Sequence, residues 1–265
     1  MLSKDGPTSF IVHVEYNMTT RSHIISSPVP SVSCEECTLS NLCITNGVDN
    51  ITKARLKTIL LHPAPFQPGD YLYRIGNRLK ALYIVKSGFI KVYVSTTYGE
   101  EQILGFHLPG ELVGLDALGT NMHRCDAVAL DTSRVCELPT AKLSEICRLS
   151  PKIRRQLNRL MGRQLSHIQE MLLLLGKRSA EGRVAAFVLS MSTRFNERGF
   201  PEDEFYLNMS RHDIANYLGL AVETVSRVFS RFQEEGLLKV RARNIRICDS
   251  ARLRQLVSGT SIKDL

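Results

Sequence analysis

Three cysteines lie close together near the start of the chain, in the segment SCEECTLSNLC. They are Cys34, Cys37 and Cys43, and the segment is too polar to bury three thiols as hydrophobic side chains. Thiolates hold iron–sulfur clusters, and they also bind zinc. A metal site with four thiol ligands needs one more cysteine, and the remaining cysteines are Cys125, Cys136, Cys147 and Cys248. The spacing predicts a metal site, with an iron–sulfur cluster favoured over zinc.

The overall charge points to a second kind of chemistry. The 265 residues carry 34 Lys and Arg against 26 Asp and Glu, a net charge of +8, which favours a polyanionic partner such as nucleic acid. The N-terminal residues lack the apolar core of a signal peptide, and no apolar run is long enough to span a membrane. We expect a cytoplasmic protein with reduced cysteines. Residues 1 to 17 have no recognisable pattern, so Met18 is an alternative start.

A long amphipathic helix is predicted over residues 151 to 176, in the middle of the chain. Apolar residues recur there at steps of three and four, which gives a helix one narrow apolar stripe. Such a stripe fits a homodimer seam better than an ordinary core helix. The predicted seam residues are Leu157, Met161, Leu165, Ile168, Leu172 and Leu175.

The region before this helix has the pattern of an antiparallel β-roll. A short helix is predicted between residues 48 and 61, with Ile51, Leu56, Ile59 and Leu60 on its apolar side. Glycines and turn signals then recur about every ten residues from 63 to 139. Strands are predicted at 81–85, 90–94 and 127–130. The chain is therefore expected to have an α+β fold.

A helix-turn-helix motif is predicted from Met209 to Leu238. Ser210 and Asp213 have the spacing of a capping box at the start of the first helix. Gly219 fits the tight bend between the two helices, because such a bend requires a positive φ. The second helix is predicted over residues 221 to 235, and the basic segment 238 to 247 after it predicts a β-hairpin wing.

Three residues near the start of the second helix could read DNA bases. Glu223, Ser226 and Arg227 have i, i+3 and i+4 spacing, which puts them on one face. Arg can bond guanine, Glu can accept from cytosine N4, and Ser can serve a base or a phosphate. An intrahelical ion pair between Glu223 and Arg227 is the alternative interpretation. The predicted phosphate contacts are Thr224, Arg231, Arg241 and Arg243.

Several segments together identify a family. They are SCEECTLSNLC, LYIVKSGFIKVY, EQILGFHLPGELVGLDALG, SRVCELP, LMGRQLSHIQEMLLLLGKRSAEGRVAAF, RFNERGF and LNMSRHDIANYLGLAVETVSRVFSRFQEEGLL. They resemble the oxygen-sensing fumarate and nitrate reduction regulators of the cyclic AMP receptor superfamily. The resemblance covers about residues 34 to 247.

The resemblance implies a [4Fe-4S] cluster, one per chain, held by Cys34, Cys37, Cys43 and Cys136 when oxygen is scarce. The cluster would promote a homodimer that binds palindromic, TTGAT-like sites in double-stranded DNA, and oxygen would degrade the cluster. Carried over from the family, the base-reading residues are the same three that helix geometry selects. RNA polymerase would be a further partner, contacted through loops such as residues 95 to 101, for activation or repression.

The resemblance also argues against a cyclic nucleotide ligand. In the superfamily's cyclic-nucleotide binders an Arg-Ser pair holds the phosphate and a Gly-Glu pair holds the ribose. Here Arg124-Cys125 and Gly114-Leu115 correspond, so the hydroxyl and the carboxylate are both missing. No cyclic nucleotide is expected.

The chain differs at Ile168 from the family that it resembles. The best-known oxygen-labile members carry an acidic residue at this position. Two carboxylates facing each other across a two-fold axis would repel, whereas isoleucine adds apolar burial of about 1.5–3 kcal/mol per side chain. We expect a dimer that persists after cluster loss more than is usual for the family.

The sequence thus predicts a regulator in four parts. They are a cysteine segment (1–47), a β-roll (48–150), a dimerisation helix (151–176) and a winged helix-turn-helix domain (177–265). One alternative is a superfamily regulator that is structured by zinc or gated by a small ligand. An enzyme is not expected, because the chain has no Ser-His-Asp order and no phosphate-binding glycine loop.

Overall fold

The computed structural model describes Cys34, residues 37–96 and residues 99–258. The alternative start at Met18 and the predicted irregular leader lie outside the described residues. The first helix, α1, spans Asn50–Ile59, and the Asp49 side chain caps it by accepting from the Thr52 N–H. Leu56 is buried on its inner side, but Ile51 is 75% exposed, so Ile51 was wrongly predicted to face the core.

Seven short strands follow and form the β-roll. All their pairings are antiparallel, as the turn spacing predicts. One sheet has the order β1-β6-β3-β4 and the other the order β5-β2-β7. The strands are β1 (Tyr71–Tyr73), β2 (Ala81–Ser87), β3 (Ile90–Ser95), β4 (Glu101–His107), β5 (Leu112–Val113), β6 (Asp126–Ala129) and β7 (Arg134–Pro139).

Gly88 makes the turn between β2 and β3 possible. Its φ is +82°, and a Cβ atom there would lie 2.2 Å from the Oγ atom of Ser133. Only glycine fits this close approach. The hydroxyl of Ser133 accepts a hydrogen bond from the Phe89 N–H, which fixes the turn on the neighbouring loop.

Two helices, α2 (Thr140–Leu149) and α3 (Pro151–Lys177), connect the β-roll to the rest of the chain. Ser150 has extended backbone between them because Pro151 follows it and disfavours helical geometry at the preceding residue. The long helix therefore begins as predicted and ends one residue later. None of the described helices combines the length and apolar character needed to cross a bilayer.

The C-terminal domain is a three-stranded sheet packed against four helices. Its elements are α4 (Ala180–Asn196), β8 (Glu204–Tyr206), α5 (Arg211–Leu218), α6 (Val222–Glu234), β9 (Leu238–Arg241), β10 (Asn244–Ile247) and α7 (Ser250–Ser258). The predicted capping box and the positive φ of Gly219 are both present. The wing is confirmed, and β8 pairs with β10 as a third strand that the sequence analysis did not predict. The α+β fold class is confirmed.

Candidate functional site

The cysteine segment is a series of tight turns that lies against the β-roll and α3. Backbone hydrogen bonds run from Ser40 to Cys37, from Cys43 to Leu39 and from Asn46 to Cys43. Ile44 is buried, so it fixes this segment in the same apolar cluster as strand β2 and helix α2. The turns place the cysteines on the inner side of the segment, where they are partly buried.

The structure brings Cys136 to the three N-terminal cysteines. Cys136 lies on β7 opposite Ile84 of β2, and it packs against the same apolar cluster as Cys34 and Cys43. Burial, followed by the charges of the other thiols, raises the pKa of Cys34 to about 11 and that of Cys136 to about 12. The charges of Cys43, Cys34 and Cys37 all act on Cys136 in this direction.

These four thiols fit an iron–sulfur cluster as a donor set. The charges of Lys86 and Lys53 lower the pKa of Cys34, so two cations offset part of the negative charge that thiolates would collect here. In the part of the chain that the structure describes, no three His, Cys, Asp or Glu side chains have the geometry of a finished metal site.

Of the other three cysteines, Cys147 packs against the same apolar cluster as Cys136, and the other two do not. Cys125 is 2% exposed inside the β-roll, Cys147 lies on α2, and Cys248 is exposed beyond the wing. Their surroundings do not bring them into the four-thiol group.

Helix α3 contacts the cysteine segment directly through its first turns. The buried side chain of Gln156 donates a hydrogen bond of 3.2 Å to the carbonyl oxygen of Cys43. Ile153 and Leu157 are buried in the cluster that contains Ile44. Gln156 was not predicted to have a role, although a polar residue beside buried apolar positions was a possible signal.

The predicted seam divides into two parts. Leu157 is only 6% exposed and packs inside its own protomer, so it is corrected from seam to core. Leu165, Ile168 and Leu172 are 58%, 47% and 66% exposed, and they form an apolar surface along the C-terminal half of α3. Met161 and Leu175 are partly buried beside it.

A cavity of about 620 Å³ lies between this half of α3 and the β-roll. Its β-roll wall includes Gly114, Leu115 and Cys125, the positions that correspond to cyclic-nucleotide contacts. The same wall presents the carboxylate of Asp116, which accepts a 2.8 Å hydrogen bond from the Arg124 N–H. A carboxylate at this place opposes a bound phosphate.

The predicted base-reading residues share an exposed face of α6. Glu223, Ser226 and Arg227 are all exposed, whereas the opposite face buries Val225 and Phe229 in the domain core. No ion pair joins Glu223 to Arg227 in the described structure, so the intrahelical pair suggested by their spacing is not formed. Both charged groups are available to a ligand.

Among the predicted phosphate contacts, Arg231 is exposed and has acidic partners. Its guanidinium already forms ion pairs with Glu181 on α4 and, at 2.7 Å, with Glu235 on its own helix. Arg241 and Arg243 are exposed on either side of the wing turn, and Thr224 is partly exposed beside Arg227. The two wing arginines are the better candidates for phosphate.

An ion-pair network that sequence analysis missed joins the β-roll to α4. The carboxylate of Glu111 accepts hydrogen bonds from Arg194 at 2.6 Å and 3.0 Å and from Arg198 at 2.7 Å. Burial alone would raise the pKa of Glu111, but the two arginines lower it to about 2. Neither the spacing nor the residue types predict this contact between distant segments.

Two family descriptions match the chain. Residues 63–150 match the cyclic nucleotide-binding domain, and residues 182–256 match the Crp-like helix-turn-helix domain.

Curated relatives and a solved structure agree with these matches. The transcriptional activator protein FnrA of Stutzerimonas stutzeri is 45% identical over 226 residues, which cover 85% of this chain and 93% of the relative. The fumarate and nitrate reduction regulatory protein of Escherichia coli (strain K12) is 44% identical, over 87% of this chain and 92% of the relative. The structure of FixK2 from Bradyrhizobium japonicum superimposes with a TM-score of 0.69 at 31% identity, over 75% of this chain and 97% of FixK2.

Proposed function

The chain belongs to the fumarate and nitrate reduction regulators of the cyclic AMP receptor superfamily, and we propose that it senses oxygen through a [4Fe-4S] cluster, one per chain. The family consists of transcriptional regulators, not enzymes, and the helix-turn-helix domain of this chain binds DNA. The finer proposal is that it controls the anaerobic switch as a cytoplasmic homodimer. It would bind palindromic TTGAT-like sites and act with RNA polymerase.

One observation carries this proposal: Cys136, which is far away in sequence, packs against the same apolar cluster as Cys34 and Cys43, and Cys37 lies between these two in the cysteine segment. Four thiolates are the usual protein ligands of a [4Fe-4S] cluster. When bound, such a cluster would supply oxygen-reactive iron and sulfide. The chain's own residues hold the thiols in a partly buried site beside Lys86.

The cysteine segment also contacts the predicted dimerisation helix, α3, directly. Gln156 bonds the carbonyl oxygen of Cys43, and Leu157 packs in the same cluster as Ile44. A change in the cysteine segment must therefore disturb the first turns of α3. Because α3 is one continuous helix, such a change reaches the exposed apolar surface formed by Leu165, Ile168 and Leu172.

We propose that this apolar surface is the homodimer seam. The family requires two recognition helices about one DNA turn apart, 34 to 36 Å, to engage both half-sites. Glu223, Ser226 and Arg227 would read bases, and Arg241, Arg243 and Thr224 would contact phosphates. No cyclic nucleotide is proposed, since Asp116 presents a carboxylate where a phosphate would lie.

The test is to measure iron and acid-labile sulfide per chain in protein purified without air. We expect about four of each in the wild type and a loss of both in Cys136→Ala. Cys147→Ala is the matched control, because Cys147 packs against the same apolar cluster but outside the four-thiol group. It should keep its iron.

Zinc without sulfide would overturn the oxygen-sensing proposal in favour of a structural metal. A Cys136→Ala protein that keeps its iron and sulfide would show that the fourth ligand is assigned wrongly. If the wild type holds no metal, the protein would still be a DNA-binding regulator, but its signal would act at a site other than the cysteines.

A further inference from the structure

Strand β4 is the edge of its sheet, yet its outward backbone groups are not left to water. The sheet order is β1-β6-β3-β4, so none of the described strands pairs with the outer side of β4. The side chain of Asn216 occupies this place. It accepts a 2.6 Å hydrogen bond from the Ile103 N–H and donates a 2.6 Å hydrogen bond to the Glu101 carbonyl oxygen. One side-chain amide thus satisfies an acceptor and a donor on the open edge of the sheet, as the backbone of a neighbouring strand would.

Asn216 lies at a sensitive point of the DNA-binding domain. It is in the last turn of α5, and its own carbonyl oxygen accepts from the N–H of Gly219, the residue that turns the chain toward α6. The same carbonyl accepts a 3.1 Å hydrogen bond from the side chain of Gln102 on β4. Helix α6, which carries the predicted base-reading residues and is the recognition helix, begins at Val222, only three residues beyond Gly219. The edge strand is therefore bonded to the turn that aims the recognition helix.

A second contact fixes the rotation of α5. Lys91 on β3 forms an ion pair of 3.4 Å with Asp213, three residues before Asn216 and on the same face of the helix. Both side chains are largely buried, at 13% and 15% exposure, which limits screening by solvent. With two contacts one helical turn apart, α5 cannot rotate about its own axis without breaking one of them.

We propose that Asn216 is a positioning residue that fixes the angle of the recognition helix relative to the β-roll and so sets the half-site spacing that the dimer accepts. This inference rests on the proposed function, because spacing has meaning only for a dimer on a palindrome. Asn216 need not contact DNA. It lies on α5, the first helix of the helix-turn-helix motif, and both groups of its side-chain amide already form hydrogen bonds with β4.

The experiment measures affinity for a series of palindromes whose half-site separation varies in steps of one base pair around one helical turn. Each step moves one half-site by about 3.4 Å and rotates it by about 34–36°. The proteins are full-length wild type, Asn216→Ala and the matched control Asn196→Ala, all purified without air and matched for iron content. The side chain of Asn196 bonds the carbonyl oxygen of Phe200 within the same domain, so the control loses an amide of the same type away from β4.

We expect wild type and Asn196→Ala to prefer one separation sharply. In Asn216→Ala the ratio between the best and the next separation should fall at least about fivefold, while each protein still prefers the same half-site sequence. A merely structural role would lower affinity equally at every separation and leave the ratio unchanged. An unchanged ratio in Asn216→Ala therefore overturns the inference and leaves the proposed function intact.

Two further outcomes are decisive. If wild type binds no palindrome of the series, the proposed function is wrong and the inference falls with it. If Asn216→Ala does not fold, Gln102→Ala replaces it, since this exposed side chain bonds the carbonyl of Asn216 from β4. A sharp, wild-type optimum in Gln102→Ala would then overturn the inference.

Discussion

The side-chain amide of Gln156 donates a hydrogen bond to the backbone carbonyl oxygen of Cys43, at a distance of 3.2 Å. This bond joins the second turn of the long helix to the residue that ends the Cys-x2-Cys-x5-Cys spacing. Both partners are shielded from water, because Gln156 is only 7% exposed and Cys43 is flanked by the buried Ile44. A polar bond in this place is costly to break, so the helix must follow the cysteine segment when it moves.

Replacing Gln156 with alanine should uncouple the cysteine segment from the dimer helix. The carbonyl oxygen of Cys43 would lose its partner, at a cost of about 1–2 kcal/mol. Sedimentation should show that the dimer dissociation constants of the cluster-loaded and cluster-free protein become closer together, with iron content unchanged. Gln169→Ala, at an exposed position of the same helix, should behave as wild type. A Gln156→Ala protein with the wild-type difference between the two states would contradict the coupling.

Ile168 should make the dimer unusually tolerant of cluster loss. Its side chain is 47% exposed in the protomer, so dimerisation can bury it further, and each side chain can contribute up to about 1.5–3 kcal/mol. We expect air-exposed wild type to remain dimeric at micromolar concentration and Ile168→Asp to become monomeric. Ser166→Asp adds the same charge at an exposed position outside the seam and should stay dimeric. Sedimentation of air-exposed wild type as a clean monomer would rule this prediction out.

Local patterns predicted much of the fold because their causes are local. The capping box at Ser210, the bend at Gly219 and the break before Pro151 each depend on a few neighbouring residues, and all are present in the structure. Strand β8 was missed because three residues after a Gly- and Pro-containing loop carry almost no periodicity. Helix α2 was missed for a similar reason, since it lies between a strand and a helix with a stronger signal.

Contacts between distant segments could not be predicted in the same way. Leu157 fits the heptad spacing of the seam, but it is buried in the apolar cluster that contains Ile44 of the cysteine segment. Arg231 has the position of a phosphate contact, and its exposed guanidinium also forms an ion pair with Glu181 of another helix. In both cases the decisive neighbour lies far away in sequence. Cys136 was predicted to join the other three cysteines only through the family resemblance.

Residues that contact bases and residues that contact phosphates should differ in how their loss changes the sequence preference and the salt dependence of DNA binding. Arg227→Ala should cost about 1–3 kcal/mol at a cognate site and relax the preference at one base pair. Arg241→Ala should weaken binding to all sequences alike and reduce the salt slope by about 1. Arg231→Ala should change the slope much less, because Glu181 and Glu235 already balance its charge. A titration of affinity against salt for the three variants checks this, and an equal loss of slope in Arg231→Ala would contradict the ion-pair assignment.

Glu111 should stabilise the contact between the β-roll and α4 only while it is ionised. Its carboxylate lies between Arg194 and Arg198, so Glu111→Gln leaves two largely buried arginines without their charge partner. We expect unfolding experiments at pH 7 to show a loss of about 3 kcal/mol, the lower end for a buried ion pair, because Glu111 is partly exposed. Glu145→Gln removes one partner of the exposed pair with Lys142 and should change stability by no more than about 0.5 kcal/mol.

The pH dependence gives the same network a second test. The pKa of Glu111 is lowered from 4.5 to about 2 because the two arginines outweigh its burial, so its contribution is fully present above about pH 4.5 and is lost as the pH falls toward 2. Burial lowers the pKa of the adjacent His107 from 6.5 to about 4, and this residue therefore costs stability as the pH falls from 6.5 to 4. Wild type should thus lose stability in two overlapping steps. Glu111→Gln should lose the Glu111 step and keep the His107 step, which extends to lower pH because the Glu111 charge no longer raises the pKa of His107. Denaturant unfolding from pH 7 to pH 3 measures both, and a variant with the full wild-type slope below pH 4.5 would show that the carboxylate of Glu111 does not titrate with folding.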